Sequence, residues 1–210
     1  MLEGDPKFKV VSEVGMGGSG KTTLVKEVYD NALVKKHFDN HAWITVSRSF
    51  KVEELLRDMI QQLFDEIKQL FLEGMSTIGG YRLKAMIKEF LQQRKYLLVF
   101  YHVWGIQAWE AIKYALPNGD NGSRVILMTQ ILSVASFFTI ETDGRIYELN
   151  PFFEEDSWIL FCLKTFQGNS CSSHLTEICK SIFKRCGGPP LAIVAISGIL
   201  ATKNEMNVDE

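Results

Sequence analysis

The sequence lacks a run of apolar residues long enough to cross a membrane. The longest apolar stretch, Pro190 to Ala201, is well short of the roughly 20 residues that a membrane span requires. The first residues, MLEGDPKFK, also lack the apolar core of a secretory signal. Both absences predict a soluble, cytoplasmic protein.

The sequence also lacks an excess of positive charge. Its 23 Lys and Arg residues face 25 Asp and Glu residues, which gives a net charge of −2 and a pI near 6.1. The basic residues are scattered and form no stripe along the chain. This distribution argues against a surface dedicated to nucleic acid.

Cysteine pairs of the C-x-x-C type are absent. Cys162, Cys171, Cys179 and Cys186 all lie in the last quarter of the chain. A zinc site that adds His174 is conceivable, but its spacings match no known ligand pattern. A disulfide framework is not expected in a domain of this size. The sequence therefore favours reduced cysteines that pack between helices.

The residues that are present predict an α/β fold. The chain is 46% hydrophobic over 210 residues, so it can bury a core of one or two domains. Apolar or β-branched runs predict the strands Phe8–Val14, His41–Val46, Tyr96–Phe100, Arg124–Met128 and Ile146–Leu149. Helical periodicity between them predicts the helices Lys21–Asn31, Val52–Ile67, Leu83–Leu91 and Trp109–Leu116. This alternation predicts a mostly parallel sheet with helices on both faces.

The strand pattern stops after Pro151. Acidic residues open a helix at Glu154, and Gly168 follows its end. Two further helices are predicted, at Ser173–Arg185 and Pro190–Lys203. We therefore predict an α/β domain over residues 1–150 and a small all-α subdomain over residues 151–210.

One motif carries clear chemistry. Residues Gly15–Thr22 read GMGGSGKT and match the phosphate-binding pattern G-x-x-x-x-G-K-[ST]. The motif follows a predicted strand and opens a predicted helix, as phosphate binding requires. These features predict a P-loop NTPase fold.

Each residue of the motif has an expected role. Backbone amides of the loop would surround phosphate oxygens, and the residues concerned are Gly15, Gly17, Gly18, Ser19 and Gly20. Lys21 would reach the β- and γ-phosphates, and the Thr22 hydroxyl would bind Mg²⁺. Thr23 would lie beside the α-phosphate. The alternative is a glycine-rich turn with an incidental lysine.

Six segments in order resemble the NB-ARC domain of plant disease resistance proteins, in particular the coiled-coil subgroup of the NBS-LRR class. They are VGMGGSGKTTL, HFDNHAWITVS, KYLLVFYHVW, GSRVILMTQ, YELNPFFEEDSWILFCLKTF and CGGPPLAI. The resemblance covers essentially the whole chain, and Trp104 at the end of the third segment favours the coiled-coil subgroup.

The resemblance implies a molecular switch in defence signalling. The family holds ADP in its resting state and ATP in its active state, and signals by oligomerisation. The helices after residue 151 would then form the first ARC subdomain. Pro190, in the last segment, would lie near the base and sugar. Other receptor domains or full-length receptors are the protein partners that the resemblance implies.

The sequence departs from the family at the residues that support hydrolysis. Tyr101 and His102 replace the two Walker B acids, which hold Mg²⁺ and activate water. A phenol is a poor ligand for Mg²⁺, and imidazole suits softer metals. His102 is still conceivable as a general base. We therefore expect weakly held Mg²⁺, no catalytic residue and at most weak ATPase activity.

Three other positions also depart from the family. Gln130 replaces the arginine that senses the γ-phosphate, so ATP and ADP should be distinguished poorly. Glu13 stands in the first strand where an apolar residue is usual, and burial there would cost free energy unless the side chain reaches a solvated edge. Pro189 replaces a leucine at the start of a helix, where proline is tolerated.

The family's segment upstream of the loop, its winged-helix subdomain and its leucine-rich repeats are not in this sequence. We expect either a fragment or the product of a decaying gene. Three hypotheses remain: a nucleotide-binding switch core with impaired hydrolysis, an interaction or decoy module that binds no nucleotide, and an active P-loop ATPase or kinase.

Overall fold

The apolar run that begins at Tyr96 forms an inner strand of a parallel sheet. The computed structural model describes residues 7–66, 77–117, 119, 121–167 and 176–206. The strands of these residues are β1 (Lys9–Val14), β2 (Asn40–Thr45), β3 (Tyr96–Val103), β4 (Arg124–Thr129) and β5 (Arg145–Glu148). They form one sheet in the order β2-β3-β4-β1-β5, and every pair is parallel. The predicted parallel sheet is confirmed.

The helices connect these strands and then continue beyond them. They are α1 (Lys21–Asp30), α2 (Ala32–His37), α3 (Val52–Glu66), α4 (Gly80–Leu91), α5 (Gln107–Ile112), α6 (Leu132–Thr142), α7 (Glu154–Thr165), α8 (Thr176–Arg185) and α9 (Pro190–Met206). None of the helices in the described residues is both long enough and apolar enough to cross a membrane.

The two faces of the sheet are covered by different helices. Helices α1 and α2, which carry the chain from β1 to the far edge strand β2, pack on one face around Val25, Val34 and Ile126. Helices α3 to α6 lie in the connections from β2 through β3 and β4 to β5. They pack on the other face, in a core that includes Leu56. Right-handed crossovers in opposite directions require opposite faces. The connections that follow β1 and β4 leave these neighbouring strands in opposite directions. Open α/β sheets bind ligands at such a point.

Two helices and several boundaries differ from the prediction. Helix α2 is too short for periodicity to reveal it, and α6 carries apolar residues on all sides, so neither was predicted. Helix α1 ends one residue early because the Asn31 side chain accepts a hydrogen bond from the Leu33 amide at 2.9 Å and caps α2. Strand β3 continues through Val103 rather than ending at Phe100.

The predicted helix at Trp109–Leu116 is a shorter helix, α5, followed by a 3-10 turn at Lys113–Ala115. Several predictions fall outside the described residues. They concern Gly168 after the end of a helix, the helix start at Ser173, and Cys171 and His174 as zinc ligands. The zinc alternative therefore stays untested.

The chain divides into two compact units. One comprises Met1–Val14 and Lys21–Glu148, and the other comprises Gly15–Gly20 and Leu149–Glu210. The glycine-rich loop thus belongs with the helical part of the chain. The predicted domains, 1–150 and 151–210, follow chain order alone and remain a proposal.

The helical unit has its own core. Phe161 of α7, Cys179 and Phe183 of α8, and Ile193 of α9 are buried together. The described cysteines, Cys162, Cys179 and Cys186, are free thiols. Helix α9 also carries apolar side chains on its outer side, where Leu191 is 65% exposed and Ile199 is 61% exposed.

Candidate phosphate-binding site

The glycine-rich loop connects the end of β1 to the start of α1. Strand β1 ends at Val14, whose register partner in β4 is Thr129, so the loop leaves the sheet at its carboxyl edge. Gly18 and Gly20 have φ angles of 75° and 96°, a conformation that residues with a side chain rarely adopt. The Ser19 amide donates to the Met16 carbonyl at 3.3 Å and closes a tight turn. The loop therefore has the left-handed backbone positions of a phosphate-binding nest.

Space as well as conformation restricts two of the glycines. A Cβ atom at Gly15 would lie 2.8 Å from the Leu149 carbonyl oxygen. A Cβ atom at Gly18 would lie 2.8 Å from the Leu191 Cβ atom. Both neighbours belong to the same compact unit as the loop. Any larger residue at these positions would displace backbone or side-chain atoms of the helical unit.

The polar side chains of the motif differ in burial. The Ser19 hydroxyl is in a residue only 4% exposed, and it has no hydrogen-bond partner within the described part of the chain. Lys21 is half-buried at the first position of α1, whereas Thr22 and Thr23 are exposed in its first turn. A buried, unpaired hydroxyl is uncommon in folded proteins and is consistent with a ligand that accepts its hydrogen bond.

Pro190 begins helix α9, and the next residue, Leu191, donates its backbone amide to the Gly18 carbonyl at 3.2 Å. The fold thus brings Pro190 beside the loop, and its place near the base and sugar of a nucleotide stays a prediction. The sequence did not predict Leu149 and Leu191 as neighbours of the loop. They touch the loop through backbone atoms or simple proximity, which leaves no signal in a sequence.

Glu13 and Lys21 lie on either side of the loop in the sequence and interact electrostatically. Glu13 is only 6% exposed. Burial raises the pKa of its carboxyl group, and the positive charge of Lys21 partly offsets this rise. Burial likewise lowers the pKa of Lys21, and Glu13 opposes that change. Glu13 therefore does not reach a solvated edge, and it interacts with the lysine expected to bind phosphate.

We expect Glu13→Gln to raise affinity for nucleotide about threefold or more near neutral pH, because each charge-assisted contact that Lys21 makes with phosphate would no longer compete with a neighbouring carboxylate. The raised pKa of Glu13 means that the carboxyl group protonates as the pH falls, so wild type should then approach the variant. Titrations of ADP between pH 7 and pH 5 measure the ratio of the two dissociation constants. Glu13→Asp, which keeps the charge, is the matched control. A ratio independent of pH contradicts this account.

Strand β3 has a bulge at the positions of the replaced acids. The register with β4 shifts between Phe100 and Val103, and His102 has a φ angle of 60°. Histidine, asparagine and aspartate adopt this left-handed conformation more often than most residues. Bulges are common next to functional sites because they redirect side chains. Here the bulge turns His102 toward solvent.

The side chains at the bulge stack on each other. The Tyr101 and His102 rings are 3.8 Å apart between centroids and inclined by 22°. Tyr101 also lies 6.3 Å from the ring of Trp43 on β2, and its carbonyl accepts a hydrogen bond from the Val46 amide at 2.8 Å. Two stacked rings now occupy the place of two carboxylates, and they offer no paired anionic oxygens for a hard cation.

The end of β4 also lies at the carboxyl edge. The Thr129 hydroxyl oxygen accepts a hydrogen bond from the Ile131 amide at 3.1 Å, which fixes the turn into α6. Gln130, between these residues, is exposed. Its side chain ends in a neutral amide, which makes weaker contacts with an anion than a charged group does.

A parallel sheet with helices on both faces, and a glycine-rich loop that joins the inner strand β1 to a helix, define a P-loop NTPase fold. Comparison with protein families then specifies the group: residues 1–171 match the NB-ARC domain. The chain belongs to the NB-ARC domain family, and the resemblance seen in the sequence is confirmed.

Plant resistance proteins are among the relatives of this chain. Disease resistance protein RPM1 of Arabidopsis thaliana is 34% identical over 206 residues, or 97% of this chain and 22% of that protein. Disease resistance protein RPP13 of Arabidopsis thaliana is 34% identical over 197 residues, or 92% of this chain and 23% of that protein. The chain thus spans less than a quarter of the length of these relatives.

Solved structures share the fold at low sequence identity. The ORC2 protein of Aeropyrum pernix, in ADPNP–ADP complexes, has a TM-score of 0.56 and 15% identity over 95% of this chain and 57% of that chain. A signal transduction ATPase with numerous domains and a tetratricopeptide repeat sensor, from Pyrococcus horikoshii, has a TM-score of 0.54 and 18% identity over 88% of this chain and 26% of that chain. These similarities show the fold.

Proposed function

We propose that this chain is the adenine-nucleotide-binding core of a plant disease resistance receptor, which acts in defence signalling as a molecular switch with impaired hydrolysis. The observation that carries the proposal is the loop between β1 and α1. Its left-handed glycines and the buried Ser19 hydroxyl are followed in the chain by a lysine and two threonines in the first turn of a helix.

These residues fit a nucleoside diphosphate or triphosphate. The amides of the loop, together with the amino end of α1, favour an anion. Lys21 would contact the β- and γ-phosphates, and Thr23 the α-phosphate. The Thr22 hydroxyl would contribute one oxygen ligand to Mg²⁺. Pro190 would lie against the base and sugar of the nucleotide.

Impaired hydrolysis is supported by the stacked pair at the end of β3. Mg²⁺ prefers carboxylate and water oxygens in an octahedral arrangement. The Tyr101 phenol and the His102 imidazole do not supply these ligands, and their rings stack on one another. We infer that ADP and ATP bind with little dependence on Mg²⁺ and that turnover is negligible.

The switch itself is proposed to be weak. A guanidinium contact with the γ-phosphate would favour ATP over ADP, because charge-assisted hydrogen bonds are roughly twice as strong as neutral ones. Gln130 supplies only a neutral amide. We therefore expect similar affinities for the two nucleotides.

The receptor context is inferred from the relatives named above. We propose that the chain acts in the cytoplasm and that its protein partners are other receptor domains or full-length receptors. RPM1 and RPP13 are named as disease resistance proteins, which supports a role for this chain in plant defence.

Titration of fluorescent ADP and ATP, with and without Mg²⁺, tests the proposal. We expect micromolar or tighter binding of both nucleotides, with less than about a threefold effect of Mg²⁺. Failure of both to bind would favour the interaction or decoy module. Phosphate release measured over hours gives the turnover rate, and a rate near one per second would instead indicate an active ATPase.

A further inference from the structure

The first turn of α9 has one backbone donor that the helix does not use. The Pro189 carbonyl accepts hydrogen bonds from the Ala192 amide at 3.0 Å and from the Ile193 amide at 3.2 Å. Pro189 and Pro190 have no amide hydrogen. Leu191 is therefore the first residue here with an N–H group, and it needs a partner outside the helix.

The partner is in the glycine-rich loop. The Leu191 amide donates to the Gly18 carbonyl at 3.2 Å. The approach is so close that a Cβ atom at Gly18 would lie 2.8 Å from the Leu191 Cβ atom. The contact therefore depends on glycine at position 18, beyond the need for a left-handed backbone.

The hydrogen bond fixes the direction of a whole peptide group. In a trans peptide, the carbonyl of one residue and the amide of the next point in opposite directions. With the Gly18 carbonyl held toward α9, the Ser19 amide points into the loop, where it donates to the Met16 carbonyl at 3.3 Å. A loop that binds phosphate needs its amides inside and its carbonyls outside.

We infer that the Leu191 backbone amide is a positioning group for the phosphate-binding loop: it holds the Gly18–Ser19 peptide in the turn that the Ser19 amide closes on the Met16 carbonyl, and so couples the start of α9 to nucleotide binding. This inference rests on the proposed function and deepens it. Because such coupling is reciprocal, bound nucleotide also stabilises the contact of α9 with the loop.

An amide-to-ester replacement tests this role. Leucic acid incorporated at position 191 removes only the N–H group and keeps the leucine side chain. We expect the ester to weaken ADP binding about three- to tenfold, the effect of one lost hydrogen bond. In the protein without nucleotide, the Ser19 amide should exchange with solvent faster by a similar factor, measured by NMR.

One control separates positioning from a general loss of structure. An ester at Ala195, in the interior of α9, removes one helical hydrogen bond without touching the loop. It should change ADP affinity and Ser19 exchange less than about twofold.

The outcomes are distinct. If the ester at 191 acts no more strongly than the ester at 195 on Ser19 exchange, the inference is overturned. It is also overturned if exchange responds while ADP affinity does not. If the wild-type protein binds no nucleotide, the proposed function fails, and the positioning role for phosphate fails with it. Faster exchange of the Ser19 amide in the ester at 191 would then show only a structural contact.

Discussion

Lys21→Ala is expected to weaken ADP and ATP binding at least about a hundredfold. The lysine lies at the first position of α1, half-buried, directly after the loop. It would make two charge-assisted contacts with phosphate oxygens, each contributing about 1.5–3 kcal/mol. Fluorescence titration of both nucleotides measures the loss.

Lys26→Ala is the matched control, because Lys26 lies on the same helix and its side chain is exposed beside Asp30. Removing an exposed ion pair changes stability little, so this variant should bind nucleotide normally. Thermal unfolding of both variants checks that the fold is kept. Equal affinities for wild type and Lys21→Ala would remove the phosphate-binding role from this loop.

Restoring acids at the end of β3 is expected to raise phosphate release from ATP about a hundredfold and to make it depend on Mg²⁺. The variant combines Tyr101→Asp with His102→Asp. Two carboxylates would supply the oxygen ligands that Mg²⁺ prefers and a group to activate water. Aspartate tolerates the left-handed conformation found at position 102 better than most residues do, so the bulge should persist.

The double substitution Tyr101→Asn with His102→Asn separates charge from shape. Both variants lose the ring contact between Tyr101 and Trp43, so both should lose some stability, but only the carboxylates should gain turnover. Steady-state phosphate release with and without Mg²⁺ is the measurement. Equal rates in the two double variants would mean that these positions do not face the nucleotide.

Much of the fold was readable because burial leaves a pattern. All five strands were predicted within a few residues. For β3 and β4 the reason is that a strand covered on both faces is a continuous apolar run. Helix α6 escaped because it is apolar on every side and lacks a helical stripe. The order of the strands could not be predicted from the sequence either. Strand β4 lies between β1 and β3, and the crossover connections set this order rather than any local pattern.

The candidate site likewise has features that the sequence predicted and features that it did not. The loop was predicted from its glycines, because only particular residue types allow its backbone. The bulge at His102 was not predicted, since tyrosine and histidine also occur in regular strands. Glu13 was recognised as unusual, but its orientation toward Lys21 depends on which face of β1 each side chain takes. The contact between Leu191 and Gly18 involves backbone atoms and carries no residue signature.

The outward side of α9, with Leu191 and Ile199 largely in water, has a practical consequence. Exposed apolar side chains on a helix that is already packed on its other side promote self-association of the protein. Crowding in a concentrated sample, or a kosmotropic salt such as ammonium sulfate, strengthens that tendency. Dilute, low-salt preparations should therefore keep the chain dispersed, and its sedimentation should quicken as concentration rises.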